Sequence, residues 1–229
     1  MDYKPILRLR AIIRVYPNLL DFFMINSSSF LPTTSAILVR ELDPIHRDLI
    51  HLHLLALNPE DRRLRFGLIV SNEFIDSYVS QLNFSRDSIF GVFNQDLNIL
   101  GMAHLAYPPD LSSNKTAEFG VSVSESGRGI GIGTALFKRA VIHCRNTNIS
   151  ILYVHCLSSN DAMMHIAKKS GMSVQNDLGE TDAYLQINPG DQSSLLTEAL
   201  QDQAALIDYG IKENLHNAFK FSSHILKSY

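Results

Sequence analysis

The chain has 229 residues, a formal net charge of −3, and 45% hydrophobic and 19% charged side chains. This balance fits a soluble globular protein, one ordinary domain plus extra segments, and its dispersed basic residues argue against a nucleic-acid face. Two cysteines, Cys144 and Cys156, form no disulfide framework or metal-ligand spacing, and no apolar run reaches the length of a membrane span; the expectation is a reducing, cytoplasmic setting without metal or membrane.

Residues 1–34 read as an N-terminal extension and linker. Ile6 to Ile25 could form a short amphipathic helix, Asp21 interrupts the apolar run, and Ser27 to Thr34 has linker composition. Met24 is in frame, so a native extension and a start assigned too early both stand. Ala36 to Glu41 reads as a first strand, and Asp43-Pro44 then opens a helix to about Leu57 with a cap followed by proline. Asn58-Pro59 repeats that signal for a short turn. Asn72 to Leu82 reads as a second helix with Phe74, Tyr78 and Leu82 on one face. Ser88 to Phe93 and Ile99 to Tyr107 read as a hairpin, and Pro108 to Lys115 as a loop.

Glu118 to Val123 then reads as a strand, Arg128-Gly-Ile-Gly-Ile-Gly133 as a turn, and Thr134 to Cys144 as a helix. Alternating glycines clear side chains from the turn, so its backbone N–H groups can close on an anion at the positive end of the helix. A triphosphate loop is excluded because Gly133-Thr-Ala lacks the lysine. A dinucleotide site is excluded by the G-x-G-x-G spacing and by the lack of any acidic residue between Ser126 and Asn160. The remaining cradle is Arg/Gln-x-x-Gly-x-Gly/Ala, matched by Arg128, Gly131 and Gly133. A buried strand, Ser150 to Leu157, follows, and then Asn160-Asp-Ala-Met-Met-His-Ile-Ala-Lys-Lys-Ser-Gly171-Met172.

On these two motifs the chain resembles the GNAT superfamily of N-acetyltransferases, from about Ser35 to Asn188, with Asn160, Ile166 and Gly171 in register. The resemblance implies an α/β (α+β layer) fold. Its central sheet is mixed, mostly antiparallel and splayed at the coenzyme site, and helices flank it. The implied organisation is an extension at 1–34, the acetyltransferase domain at 35–188 and a C-terminal helical extension at 189–229. It also implies acetyl-CoA as co-substrate. Val121, Ser122 and Val123 would pair with the pantetheine arm, and a backbone N–H of Val121 or Val123 would hold the oxyanion. Arg128, Gly129, Ile130, Gly131, Ile132, Gly133 and Thr134 would take the pyrophosphate, and Asn160 would contact coenzyme as well as cap its helix.

Alternation places Glu118, Gly120 and Ser122 on one strand face, and Glu118 is the candidate general base, set against a plain solvated carboxylate. The family's tyrosine acid falls at Ala167, which cannot donate a proton, and His165 faces elsewhere on the helix. Around the acceptor region, Arg62, Arg63 and Arg65 could draw an acceptor carboxylate; Glu60 and Asp61 offset two of them, and a self-paired surface is the favoured reading. His51 and His53 cannot share a helix face. In the C-terminal segment Leu196, Leu200, Ala204, Ile207 and Ile211 form an apolar face, expected to pack on the domain or on a second copy of the chain. Glu198, Asp202 and Asp208 lie opposite and have the wrong sign for an anionic bilayer. The expected function is acetyl transfer from acetyl-CoA to a primary amine of a small molecule or protein by direct attack. The alternative is a coenzyme-binding regulatory module.

Overall fold

Capping chemistry sets the helices that begin the fold. In a computed structural model describing residues 36–109 and 115–226, strand β1 (Arg40–Leu42) ends at Asp43, whose carboxylate accepts the N–H of Ile45 at 3.1 Å. The helix expected from there to Leu57 is a 3₁₀ turn (Pro44–His46) running into α1 (Arg47–Leu55). Asn58 caps the next start by accepting the Asp61 N–H at 2.9 Å. The result is a true helix, α2 (Pro59–Phe66), in place of the expected short turn. Helix α3 (Asn72–Ser80) starts at the Ser71 cap. Its buried face is Ile75 and Val79; Phe74 is 44% exposed and Leu82 lies beyond the helix end, which corrects the expected apolar face. The residues 1–34 and the middle of the 108–115 loop lie outside the described set.

The hairpin strands β2 (Ser88–Phe93) and β3 (Ile99–Ala106) precede β4 (Thr116–Val123). Helix α4 (Ile132–Asn146), β5 (Ile151–Leu157), α5 (Asp161–Lys169), β6 (Ser173–Asp177), β7 (Glu180–Gln186) and α6 (Gln192–Leu226) complete the order. Seven strands form one sheet ordered β1-β2-β3-β4-β5-β7-β6, and β4–β5 is its parallel pair among antiparallel neighbours. A parallel pair needs a crossover, and α4 supplies it. Strand β2 is buried along its whole length, as a central strand covered on both faces must be. One core gathers Phe90, Phe119, Leu136, Phe137 and Leu152; the other gathers Ile50, Leu54, Ile75, Ile89 and Met102. The sheet thus has an apolar layer on each face.

The C-terminal helix docks the opposite way from its hydrophobic pattern. Leu196, Leu200, Ile207 and Ile211 are between 55% and 62% exposed. Ser194, Glu198, Asp202 and Ala205 face the domain instead. The reason is Arg139, a 2%-exposed guanidinium on α4 that takes both Glu198 and Asp202. An unpaired buried cation costs several kcal/mol, far above the ~0.3–1 kcal/mol typical of exposed ion pairs, so the acidic stripe wins the contact.

Candidate active site

The site begins where two strands part. Strand β4 stays paired with β3 from Glu118 (opposite Ala106) to Val123 (opposite Gly101). It pairs with β5 over Thr116–Glu118, opposite Ile151–Tyr153, and β5 then continues paired with β7. Past Glu118 the edge of β4 that faces β5 therefore carries open backbone. The N–H of Ser124 reaches the carbonyl of Leu100 on β3 at 2.8 Å. Since backbone groups alternate sides along a strand, the N–H groups of Val121 and Val123 point away from β3, into the gap.

Beside the gap stands the glycine turn. Gly129 (φ 76°) and Gly131 (φ 93°) hold left-handed backbone that other residues rarely adopt. Helix α4 starts directly after Gly131, with no side-chain cap and no acidic residue in its first turn. Its first N–H groups and the positive end of its dipole are thus left for an outside acceptor. A Cβ on Gly133 would meet Ile166 Cδ1 at 3.3 Å, so the bare glycine lets α5 approach the cradle. A cavity of about 380 Å³ lies here, and Val121, Ser122, Val123, Arg128, Gly133 and Asn160 line it together. Gly129, Ile130, Gly131, Ile132 and Thr134 build the turn and first helical residues without lining this cavity; Ile130 is 62% exposed and the Ile132 side chain is core. The Arg128 guanidinium is ion-paired with Asp61. Asn160 caps α5 by accepting the Met163 N–H at 3.0 Å and borders the cavity.

A second cavity, about 260 Å³, shares Leu64, Arg65, Val121, Asn160 and Met163 with the first and adds Tyr78, Glu118, His155 and Cys156. Glu118 is exposed and has no ion pair among the described residues. His155 is engaged by Asp182 at 2.8 Å, and burial pushes the Cys156 thiol above its ordinary range. Ala167 is 1% exposed, sits in the core and lines neither cavity. The α5 residues that line the first cavity are Asn160, Ala162, Met163 and Ile166, counting the cap. His165 is exposed, as its helical position requires.

Two polar arrangements escape the sequence reading. His53 donates from Nδ1 to the Ile99 carbonyl at 3.0 Å, leaving Nε2 to accept the Ser122 hydroxyl at 2.9 Å. Burial drives this imidazole down to about 4, so it stays neutral. His51 points elsewhere, to Asp76. The second arrangement is a chain: Arg65 Nη2 donates to the Tyr78 hydroxyl at 2.9 Å, which donates to His104 Nδ1 at 2.8 Å. His104 Nε2 in turn lies 3.2 Å from Asp87. Burial raises the Tyr78 phenol and lowers the His104 imidazole, so both stay neutral near pH 7. The sequence signal was slight: a tyrosine where an apolar helix face accepts phenylalanine, and single histidines on apolar elements.

A model of the acetyltransferase (GNAT) family matches residues 56–172, half of the chain, taking in α2, the cradle and α5. Among solved structures, the chain is similar to the GNAT domain of S. lividans PAT (TM-score 0.57, 13% identity, covering 69% of this chain and 99% of that one). It is also similar to spermidine N-acetyltransferase from Vibrio cholerae in complex with CoA and spermine (0.53, 19% identity, 69% and 96%). A third likeness is to yncA of Salmonella typhimurium, a putative acetyltransferase with its cofactor acetyl-CoA (0.52, 15% identity, 69% and 97%). At these identities the likeness to solved structures is one of fold. With the splayed sheet and the match across its glycine turn, the chain belongs to the GNAT family of acetyltransferases and is an acyltransferase.

Proposed function

We propose that this protein transfers an acetyl group from acetyl-CoA to a primary amine by direct attack. The observation that carries the proposal is the parting of β4 from β5 beside the uncapped start of α4. The open backbone of Val121 and Val123 supports pairing with the pantetheine arm, and the free N–H groups after Gly131 support pyrophosphate binding. Arg128 contributes a cation once it exchanges Asp61 for phosphate, and Asn160 borders the same cavity.

Acetyl-CoA supplies an activated acyl carbon. Glu118 takes a proton from the acceptor ammonium, directly or through a water, and the freed amine forms the C–N bond as the C–S bond breaks. An N–H of Val121 or Val123 holds the oxygen that becomes negative. The nitrogen of the new C–N bond gives up its second proton to solvent, and the leaving thiolate takes its proton from solvent. A thiol titrates near 8.5, so the thiolate leaves tolerably at neutral pH without a tyrosine at position 167. A positioned acid is worth about 10²–10⁴ in rate, so slow turnover is compatible with Ala167. The absence of a donor at Ala167 is also the observation favouring the second reading, a coenzyme-binding regulatory module.

The acceptor is a small-molecule or protein amine. The division into 1–34, 35–188 and 189–229 belongs to the same proposal, as does a cytoplasmic setting, which the buried free thiols of Cys144 and Cys156 support. A second copy of the chain is the partner proposed for the exposed row Leu196, Leu200, Ile207 and Ile211, since the domain takes the other face of α6. The test is thermal melting with acetyl-CoA, with NADH and ATP as controls, followed by an amine screen. Ligand at one hundred times its dissociation constant adds about 2.7 kcal/mol. Gly131→Glu abolishes the shift, through a forbidden backbone and a repelling charge. Glu118→Gln keeps the shift and loses transfer. Unchanged transfer in Glu118→Gln rejects the base assignment, and a shift without transfer to any amine selects the regulatory reading.

A further inference from the structure

The arginines clustered on α2 have separate fates. Arg63 forms a two-pronged pair with Glu60 at 2.9 and 2.7 Å. Arg62 is spent on the carbonyls of Leu55 and Leu57 and on Asn72. Asp61 is taken by Arg128. Arg65 alone of the three has no carboxylate or carbonyl partner among the described residues. Its one hydrogen bond goes to the Tyr78 hydroxyl, and its buried Nε has no partner.

Arg65 is nonetheless held in place. Its guanidinium lies 4.9 Å from the Phe66 ring centre and 5.7 Å from that of Tyr78, and Tyr78 is anchored by His104. It also lies directly over Gly120: a Cβ there would fall 2.5 to 2.7 Å from Nη1, Cζ and Nη2. Glycine at 120 is thus what admits the guanidinium to the strand face. That face also carries Glu118, two residues back and roughly 7 Å away along the strand. Glu118 and Arg65 line the same 260 Å³ cavity, at the gap where β4 leaves β5, and they do not pair with each other. One cavity therefore presents a carboxylate and a guanidinium that are in no ion pair among the described residues.

Resting on the acetyl-transfer reading, we infer that the acceptor is an amino-acid-class zwitterion, its ammonium at Glu118 and its carboxylate on the Arg65 guanidinium. A guanidinium with free N–H groups matches a carboxylate in geometry as well as charge. A diamine fits worse, since its second ammonium would face Arg65. The rings of Phe66, Phe74 and Tyr78, packed edge to face at 5.3 and 5.4 Å, give the cavity an apolar wall for the acceptor side chain.

The experiment compares transfer from acetyl-CoA to matched amines: leucine and phenylalanine, their carboxamides, isoamylamine and phenethylamine, and spermidine. Wild type is expected to favour the free amino acids by at least about 10-fold in kcat/KM. Arg65→Gln is expected to raise KM for the amino acids about 10- to 100-fold more than KM for the carboxamides, with Arg65→Lys in between. The wild-type comparison needs no variant, so a poorly folding Arg65→Gln does not spoil it. Equal or better use of carboxamides, simple amines or spermidine, or no transfer to any of the panel, overturns the inference. The melting shift with acetyl-CoA is read on the same wild-type protein. If it is present, the coenzyme reading stands whatever the panel shows; if it is absent, both fall.

Discussion

Glu198 gives the sharpest energetic prediction. Burial alone would raise its carboxyl, but hydrogen bonds from His143, Asn146 and Arg139 outweigh burial and bring it down to about 2 from the ordinary 4.5. At about 1.4 kcal/mol per pH unit, that difference is worth about 3 kcal/mol of stability. The folded value is the depressed one, so the contribution is complete above pH 4.5 and is lost as pH falls toward 2. Glu198→Gln removes the charge and leaves the buried Arg139 with Asp202 at 2.8 Å. At pH 7 the variant should lose about 3 kcal/mol, roughly 6–12 °C in melting temperature for a domain of this size. At pH 3.5 linkage leaves a gap of about 2 kcal/mol. Urea midpoints of both proteins at the two pH values measure it, and carboxylates that do not share Arg139 cancel in the difference. A gap that stays constant or widens on acidification, or one below about 0.5 kcal/mol at pH 7, would refute the reasoning.

Two further perturbations probe the site. Asp61→Asn frees Arg128 from its competing carboxylate; because this pair is partly exposed, acetyl-CoA should bind only up to about 5-fold tighter, with a steeper salt dependence in a calorimetric titration. Unchanged affinity would mean that Arg128 does not meet the phosphates. His53→Ala strands the Ile99 carbonyl and the Ser122 hydroxyl in a buried position and should cost about 2–5 kcal/mol in a urea melt. It should also remove an acid-side stability loss, since the folded His53 resists protonation down to about 4 while the unfolded chain binds its proton near 6.5.

The glycine turn was legible because its requirement is backbone geometry, and the left-handed positions at Gly129 and Gly131 favour glycine. Strand alternation was equally readable: Glu118, Gly120 and Ser122 do share a face, met by Arg65 and His53. What stayed hidden came from other elements. Arg65 looked like one more surface cation until Gly120 was seen beneath it, and Tyr78 counted as packing until His104 met its hydroxyl. Periodicity found the apolar stripe of α6 but said nothing of what lies opposite; Arg139, a buried cation on a helix otherwise apolar on its inner face, decided the contact. The α3 face failed similarly, since Phe74 and Tyr78 satisfy the spacing as well as Ile75 and Val79, and tertiary packing chose the latter pair for the core.

The shared wall of the two cavities bears on the order in which ligands come and go. Leu64, Arg65, Val121, Asn160 and Met163 border both, so the donor and acceptor proposed above would meet at the gap in the sheet without occupying the same chamber. An enzyme that first takes the acetyl group onto itself releases coenzyme before the amine arrives, and its kinetics trace parallel double-reciprocal lines. Two chambers joined at a gap allow both guests at once. Initial rates measured across both concentrations should then give lines that intersect, the signature of a ternary complex, with no acetylated enzyme to be trapped between half-reactions.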